Sequence, residues 1–164
     1  MSESVDKQAF REGLKAFAGN ISVITAAHGR EASGIVCTSV VSPSAEPPLL
    51  MAAINAGGHT LPLIRDAGCF GWSSLGAGHE AVARAFSGFG GVEGEERYAG
   101  AEWETAVTGA RLLKGAAAGF DCVTQEIIDR DGWSIVIGRV VAVRNDPGAG
   151  GMIWWRGGFR ALDA

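Results

Sequence analysis

Turn residues cut this chain into short apolar, β-branched runs, and that punctuation restricts it to architectures built mostly of strands. Residues 20–27 (NISVITAA), 33–42 (SGIVCTSVVS) and 49–55 (LLMAAIN) are too short for buried helices and rich in Val, Ile and Thr. His28-Gly29-Arg30 and the proline-containing residues 43–48 separate them with turn chemistry. Residues 69–75 (CFGWSSL), 120–128, 134–144 (SIVIGRVVAVR) and 152–155 continue the pattern, and Asp131-Gly132 between two of these runs is a strong hairpin signal. Helical patterning is sparse. Phe10, Leu14 and Phe17 recur at helical spacing over residues 5–18, ahead of Gly19-Asn20. A short helix is expected from Thr60, which can cap it, with Pro62 in its first turn and Gly68 at its end. Residues 80–86 place Val82, Ala83 and Phe86 on one helical face, whereas residues 87–108, rich in glycine and glutamate, are expected to form a long loop with a helical turn. No repeat or composition shift divides residues 1–164, so the expectation is one domain, mainly β, a β-barrel with a few peripheral α-helices.

Composition narrows the function classes. At 47% hydrophobic and 20% charged the chain suits a folded protein and not a disordered one. A net charge of −4 argues against a nucleic-acid partner, which would call for a basic stripe, but leaves room for a local phosphate seat. No apolar run approaches the ~20 residues of a membrane span. The charged, helix-patterned start MSESVDKQAFREGLKAFAGN does not resemble a secretory signal. Cys37, Cys69 and Cys122 are isolated, without the CxxC pairing of zinc or redox sites, and are expected to be reduced core cysteines of a cytoplasmic protein. Five tryptophans against one tyrosine is an unusual balance, and some of these indoles are expected at a ligand site or an interface.

Motifs for several chemistries are missing. HExxH, GxSxG and GxxxxGK[ST] do not occur, and His28, His59 and His79 lack metal-ligand spacing, so no metal site is expected. Gly76-Ala77-Gly78-His79-Glu80-Ala81 matches a dinucleotide fingerprint, but the following helix runs into glycines and not into a second parallel strand. Residues 34–60 carry more. A strand bearing Thr38, Ser39 and Ser42 leads through Pro47-Pro48 into an apolar strand ending at Asn55, then through Gly57-Gly58-His59-Thr60 into a helix. A glycine-rich turn at a helix start offers backbone N–H groups to an anion, and Arg84 on the neighbouring helix could add charge. An ordinary strand, turn and capped helix would look the same at this level.

The run GIVCTSVVSPSAEPPLLMAAINAGGHT resembles the flavin reductase-like family of split-barrel FMN-binding proteins, whose pattern is roughly G-x-x-x-T-S-x-x-S-x-x-x-x-P-P before an apolar strand and polar turn. The resemblance continues in order through CFGWSSL, ARAFSG, EERYAGAEWETAVTGARLLKGAAAGFDC, GWSIVIGRVVAVR and GGMIWWRGGFRAL. It implies a split β-barrel and an NAD(P)H-dependent flavin reductase, passing hydride from nicotinamide to flavin N5. FMN is the implied flavin, FAD the alternative, and the donor is NADH or NADPH. The family is typically homodimeric and often supplies diffusible reduced flavin to a partner monooxygenase. By resemblance, Cys37, Thr38, Ser39 and Ser42 match the strand and loop at the isoalloxazine edge and ribityl chain, and Asn55, Gly58 and Thr60 match the turn for the phosphate end. Ser73 stands where an asparagine near the flavin is common, and Arg84 and Phe86 lie in the A-R-x-F-S segment. Trp133 occupies the place of a histidine on the nicotinamide side, which makes it the candidate catalytic position; it either stacks there or blocks the pocket. A flavin-binding protein without reductase activity is the alternative the resemblance leaves open.

Overall fold

The structure is a computed structural model that describes residues 5–89 and 91–164. The glycine-rich run of residues 87–91 therefore includes one position, Gly90, outside the described residues. Strands β2 (Ser22–His28), β3 (Glu31–Cys37), β4 (Val40–Ala45), β5 (Pro48–Asn55), β6 (Cys69–Ser74), β9 (Ala118–Arg130) and β10 (Trp133–Asn145) form one sheet in the order β3-β2-β6-β9-β10-β5-β4. Every pairing in it is antiparallel, the wiring of a split barrel and not of a parallel dinucleotide-binding sheet. A second sheet joins β1 (Gly19–Asn20), β11 (Gly151–Trp155) and β12 (Gly158–Leu162), and β7 (Trp103–Thr105) pairs with β8 (Arg111–Leu113).

Alternation along the strands builds two cores. On β5, Leu50, Ala52 and Ile54 point inward, and β10 sets Ser134 opposite Ile54 and Val136 opposite Ala52. With Ile24, Phe70, Trp72 and Cys122 these residues pack against Leu61, Leu63 and Ile64 of α2 (Thr60–Ala67). Each large side chain sealed in this way contributes roughly 1.5–3 kcal/mol of burial. Across β2, Ile21 and Val23 face the second core, which Val82, Ala83 and Phe86 of α3 (Glu80–Phe86) cover together with Tyr98, Leu113 and Met152. Those three α3 residues are the face expected from the sequence.

Several expectations give way to tertiary structure. Residues 33–42 are not one strand: Thr38 and Ser39 break the run and belong to neither β3 nor β4. Pro43 lies within β4 and not in a turn, because β4 is the sheet edge and its pairing with β5 shifts register between Val41 and Ser44. Thr60 is the first helical residue of α2 and not its cap; His59 holds the cap position with no side-chain bond. The expected loop 87–108 contains a 3-10 turn, Gly94–Tyr98, and strand β7, while β8 and β12 were not expected at all. Helix α1 (Lys7–Lys15), capped by Asp6 Oδ2 accepting from Ala9 N at 2.8 Å, buries none of its residues, and Phe10, Leu14 and Phe17 stand exposed.

The 3-10 turn closes over the β3 edge of the large sheet. Tyr98 donates its hydroxyl to Ser33 O at 2.6 Å, and Arg97 Nη1 donates to Gly34 O at 2.7 Å. Arg111 stacks on the Tyr98 ring at 4.4 Å and forms a two-pronged pair with Glu95 at 2.7 and 2.8 Å, which holds the Glu95 carboxyl below its usual range.

Candidate functional site

Two cavities adjoin along β3. The larger, about 810 Å³, is bounded by Arg30 and Glu31 at the β2–β3 hairpin, Ser33–Ile35 of β3, the Asn55–Thr60 turn, the end of α3 and the 93–97 stretch. The smaller, about 480 Å³, begins where the first ends: Val36, Cys37 and Thr38 continue β3, and Ile21, Arg84, Trp154 and Phe159 close it. Ser87 lines both.

The turn at one end of this groove is built locally. Asn55 Oδ1 accepts from Gly57 N at 2.7 Å, and Ala56 N donates to Gly132 O at 3.1 Å, which ties the turn to the β9–β10 hairpin. A Cβ on Gly58 would meet only Asn55 O, at 4.0 Å, so a ligand can approach this backbone closely. The turn feeds the start of α2, whose first N–H groups have no intrahelical acceptor and carry the positive end of the helix dipole. Inside the wall, the Thr60 hydroxyl meets that of Ser33 at 3.1 Å.

Phe86 forms the floor between β3 and the 93–97 stretch. Its ring is fully buried, with ring centroids 5.1 Å from Tyr98 and 5.5 Å from Trp103, and its Cδ1 and Cε1 atoms pack against Gly34. Gly34 is required here: a Cβ would sit 2.5 Å from Phe86 Cε1 and 2.9 Å from Ile24 O. Burial raises the Tyr98 phenol above its ordinary pKa and pushes the Cys37 thiol up to about 12, so neither ionises near neutral pH.

The candidate residues divide by place. Asn55, Gly58, Thr60 and Phe86 line the larger cavity; Cys37, Thr38 and Arg84 line the smaller. Arg84 bonds Glu80 Oε1 through Nε at 2.9 Å and Nη2 at 2.6 Å while its guanidinium lies 5.3 Å from the Phe159 ring centre. Ser39, just ahead of β4, donates to Ala53 O at 2.7 Å and Ser42 of β4 to Leu49 O at 3.1 Å, so both tie this stretch to β5. Ser73 is fully buried, and its hydroxyl accepts from Leu113 N at 2.9 Å. Trp133 lines neither cavity; it is 43% exposed and sits directly across from Asn55 in the β5–β10 register. Sequence reasoning did not single out Trp154 or Phe159. The excess of tryptophan pointed to such a role without locating it. Among the described residues no group of three or more His, Cys, Asp or Glu side chains is placed to hold a metal ion.

The arrangement can hold an elongated ligand with a flat apolar part and an anionic end, positioned with no obligatory proton donor or acceptor at its centre. Known proteins agree with this reading of the groove. The chain is similar to FMN reductase (NADH) RutF of Cronobacter sakazakii, 27% identical over 157 residues that span 96% of this chain and 93% of that protein. Its backbone superposes on the NADH:FAD oxidoreductase SgcE6 of Streptomyces globisporus with a TM-score of 0.85 at 26% identity, covering 100% and 99% of the two chains. It superposes equally well on BorF, the flavin reductase component of a bacterial two-component tryptophan halogenase, with a TM-score of 0.87 at 25% identity over 97% and 99% of the chains. The flavin reductase like domain matches residues 14–163, and the chain belongs to that family.

Proposed function

We propose that this protein is an NADH-dependent flavin reductase with FMN as its flavin. The observation that carries the reading is the groove along β3, which has an open glycine turn and helix start in its polar larger cavity and mostly apolar walls in the smaller one. Its larger cavity, about 810 Å³, is within the roughly 300–1,000 Å³ of pockets that enclose ligands of this size. The residues present therefore fit a flavin phosphate. A bound flavin would supply the redox chemistry, hydride acceptance at its N5.

The chain's own groups bind and orient. Asn55 shapes the turn, the N–H groups of residues 58–60 would meet the anionic end, and Thr38, outside both strands, would offer backbone polar groups to a polar ring edge. Phe86 and Cys37 exclude water from the groove floor. Trp133, half-exposed and paired with Asn55 in the β5–β10 register, would stack on the dinucleotide side, outside the two cavities.

The groove would release reduced flavin to a partner monooxygenase, a reading supported by the likeness to BorF, itself one component of a two-component system. A homodimer is the working assembly. Its support is α1 and the residues just after it: Phe10, Leu14 and Phe17 stand exposed, and α1 buries none of its own residues. No described helix is long and apolar enough to cross a membrane, and three free thiols suit the reducing cytoplasm.

The test is a flavin titration of the purified protein followed by NADH consumption with added FMN. Flavin binding with NADH turnover is expected; bound flavin without turnover would make the chain a flavin carrier, and no binding would end both readings. Trp133→His should raise NADH turnover, and unchanged turnover would remove that residue from the mechanism.

A further inference from the structure

The C-terminal hairpin builds a feature that the chemistry above does not use. Trp154 and Phe159 face each other across β11 and β12 and meet edge to face, ring centroids 5.0 Å apart and planes at 77°. The two rings make an L-shaped corner, and both line the smaller cavity beside Ile21, Val36 and Thr38. Arg84 backs the corner with its guanidinium over Phe159.

Two close approaches bring this corner to β3. Gly19 pairs with Trp154, and a Cβ on Gly19 would sit 2.8 Å from Thr38 Cβ, so the absence of a side chain lets the β1–β11 pair press against the end of β3. On β11, Met152 shares the inward face with Trp154 and is buried in the second core, which fixes how the strand is rotated. Trp155 points the other way, under the Arg156 guanidinium, and lines neither cavity.

The two ends of the groove differ in chemistry. The larger cavity carries the glycine turn together with Arg30, Glu31, Glu93 and Glu95; the smaller has one charged residue, Arg84, and the aromatic corner. From Ser33 on β3 to Thr38 just beyond it, the extended chain runs roughly 16 Å at about 3.3 Å per residue, a span that one ligand can bridge.

We propose that Trp154 and Phe159 form the stacking wall for the flat ring system of the flavin, with the glycine turn receiving its anionic tail. The proposal rests on the flavin-reductase reading and adds two binding residues to it. Bound FMN would be followed by its own fluorescence, which stacking on an indole quenches. Trp154→Ala is expected to weaken FMN binding roughly tenfold, by the usual worth of one aromatic stack, and to leave the bound flavin brighter. Trp154→Phe should recover most of the affinity, and Trp155→Ala should bind as the unaltered protein does. Should Trp154→Ala fail to fold, Phe159→Leu tests the same corner with apolar bulk retained and is expected to lower affinity in the same direction.

Unaltered affinity and quenching in Trp154→Ala or Phe159→Leu would overturn the proposal while leaving the reductase reading intact. So would an equal loss in Trp155→Ala, which would mark a general loosening of the hairpin. Failure of the unaltered protein to bind FMN would refute the reductase reading itself and this wall with it.

Discussion

Gly34→Ala is the sharpest test of how the groove is held open. The new Cβ would lie 2.5 and 2.8 Å from two carbons of the Phe86 ring and 2.9 Å from Ile24 O, where ordinary contact begins near 3.4 Å. The ring would have to withdraw by about 0.9 Å, the gap between 3.4 and 2.5 Å. It has nowhere to go: Tyr98 and Trp103 stand behind it, Trp103 Nε1 is fixed by Tyr98 O at 3.1 Å, and the Ile24 carbonyl belongs to the β2 backbone. Overpacking of this kind costs about 1–3 kcal/mol, and the enclosed ring puts this site near the upper figure. For a chain of this length that converts to a Tm lower by roughly 6–12 °C. The measurement is a thermal melt by circular dichroism on four proteins: unaltered, Gly34→Ala, Phe86→Leu and the double variant. Leucine removes the ring from the path of the new methyl, so Gly34→Ala should cost at least ~1 kcal/mol less in the Phe86→Leu background. If the glycine substitution costs the same in both backgrounds, the ring is not what Gly34 accommodates and the packing argument fails.

Three further outcomes follow from buried groups. Asp121, fully buried, accepts from Val107 N at 2.7 Å, Thr108 N at 2.8 Å and the Thr108 hydroxyl. Asp121→Asn turns an amide N–H₂ toward those donors and should lower stability by about 2–4 kcal/mol in urea unfolding, a value near zero refuting the role. Partial burial lowers the His79 pKa from its ordinary 6.5, and Nδ1 accepts from Gly76 N at 3.1 Å at the start of α3. The folded state therefore binds fewer protons than the unfolded one, so this contribution is complete above 6.5 and fades as pH falls below it. His79→Gln should flatten the loss of stability between neutral and mildly acidic pH, and an unchanged slope would discount the histidine. Burial pushes the Cys37 and Cys122 thiols up to about 12. In the folded protein Cys122, fully buried, should resist a disulfide reagent at pH 8 and react only on unfolding. Cys37, partly buried in the wall of the smaller cavity, should react slowly because its thiol stays protonated; prompt labelling of either would contradict the reasoning.

Short apolar, β-branched runs punctuated by turn residues carried most of the barrel into view. The strands β2, β5 and β10, the Asp131-Gly132 hairpin and the buried face of α3 follow from local composition, helical periodicity and turn chemistry, which need no knowledge of distant neighbours. The inward face of the apolar run in β5, by contrast, is set only by its sheet partners. What stayed hidden depends on contacts far apart in sequence. Strand β8 has three residues and exists because it lies over β6 and β2, where Leu113 N donates to Ser73 Oγ of β6 and Thr25 Oγ1 of β2 donates to Arg111 O. Pro43 looked like a turn because nothing local says that β4 is an edge. The aromatic corner requires β1 to pair with β11 across most of the chain, so the tryptophan count hinted at a ligand wall without saying where it stood. Residues 34–60 were legible as a candidate anion seat because strand, turn and helix start are contiguous there, whereas the walls from α3 and the 93–97 stretch are assembled only by folding.

The hydroxyl of Tyr98 and the guanidinium of Arg97 occupy backbone acceptors at an outermost strand of the large sheet. An uncovered margin of that kind is a template on which another extended chain can add itself. The segment that walls the ligand groove thus doubles as a guard against self-association through the sheet. Variants that loosen it to widen the groove would carry a cost in solubility, visible as aggregates on storage well before any change in the melting curve.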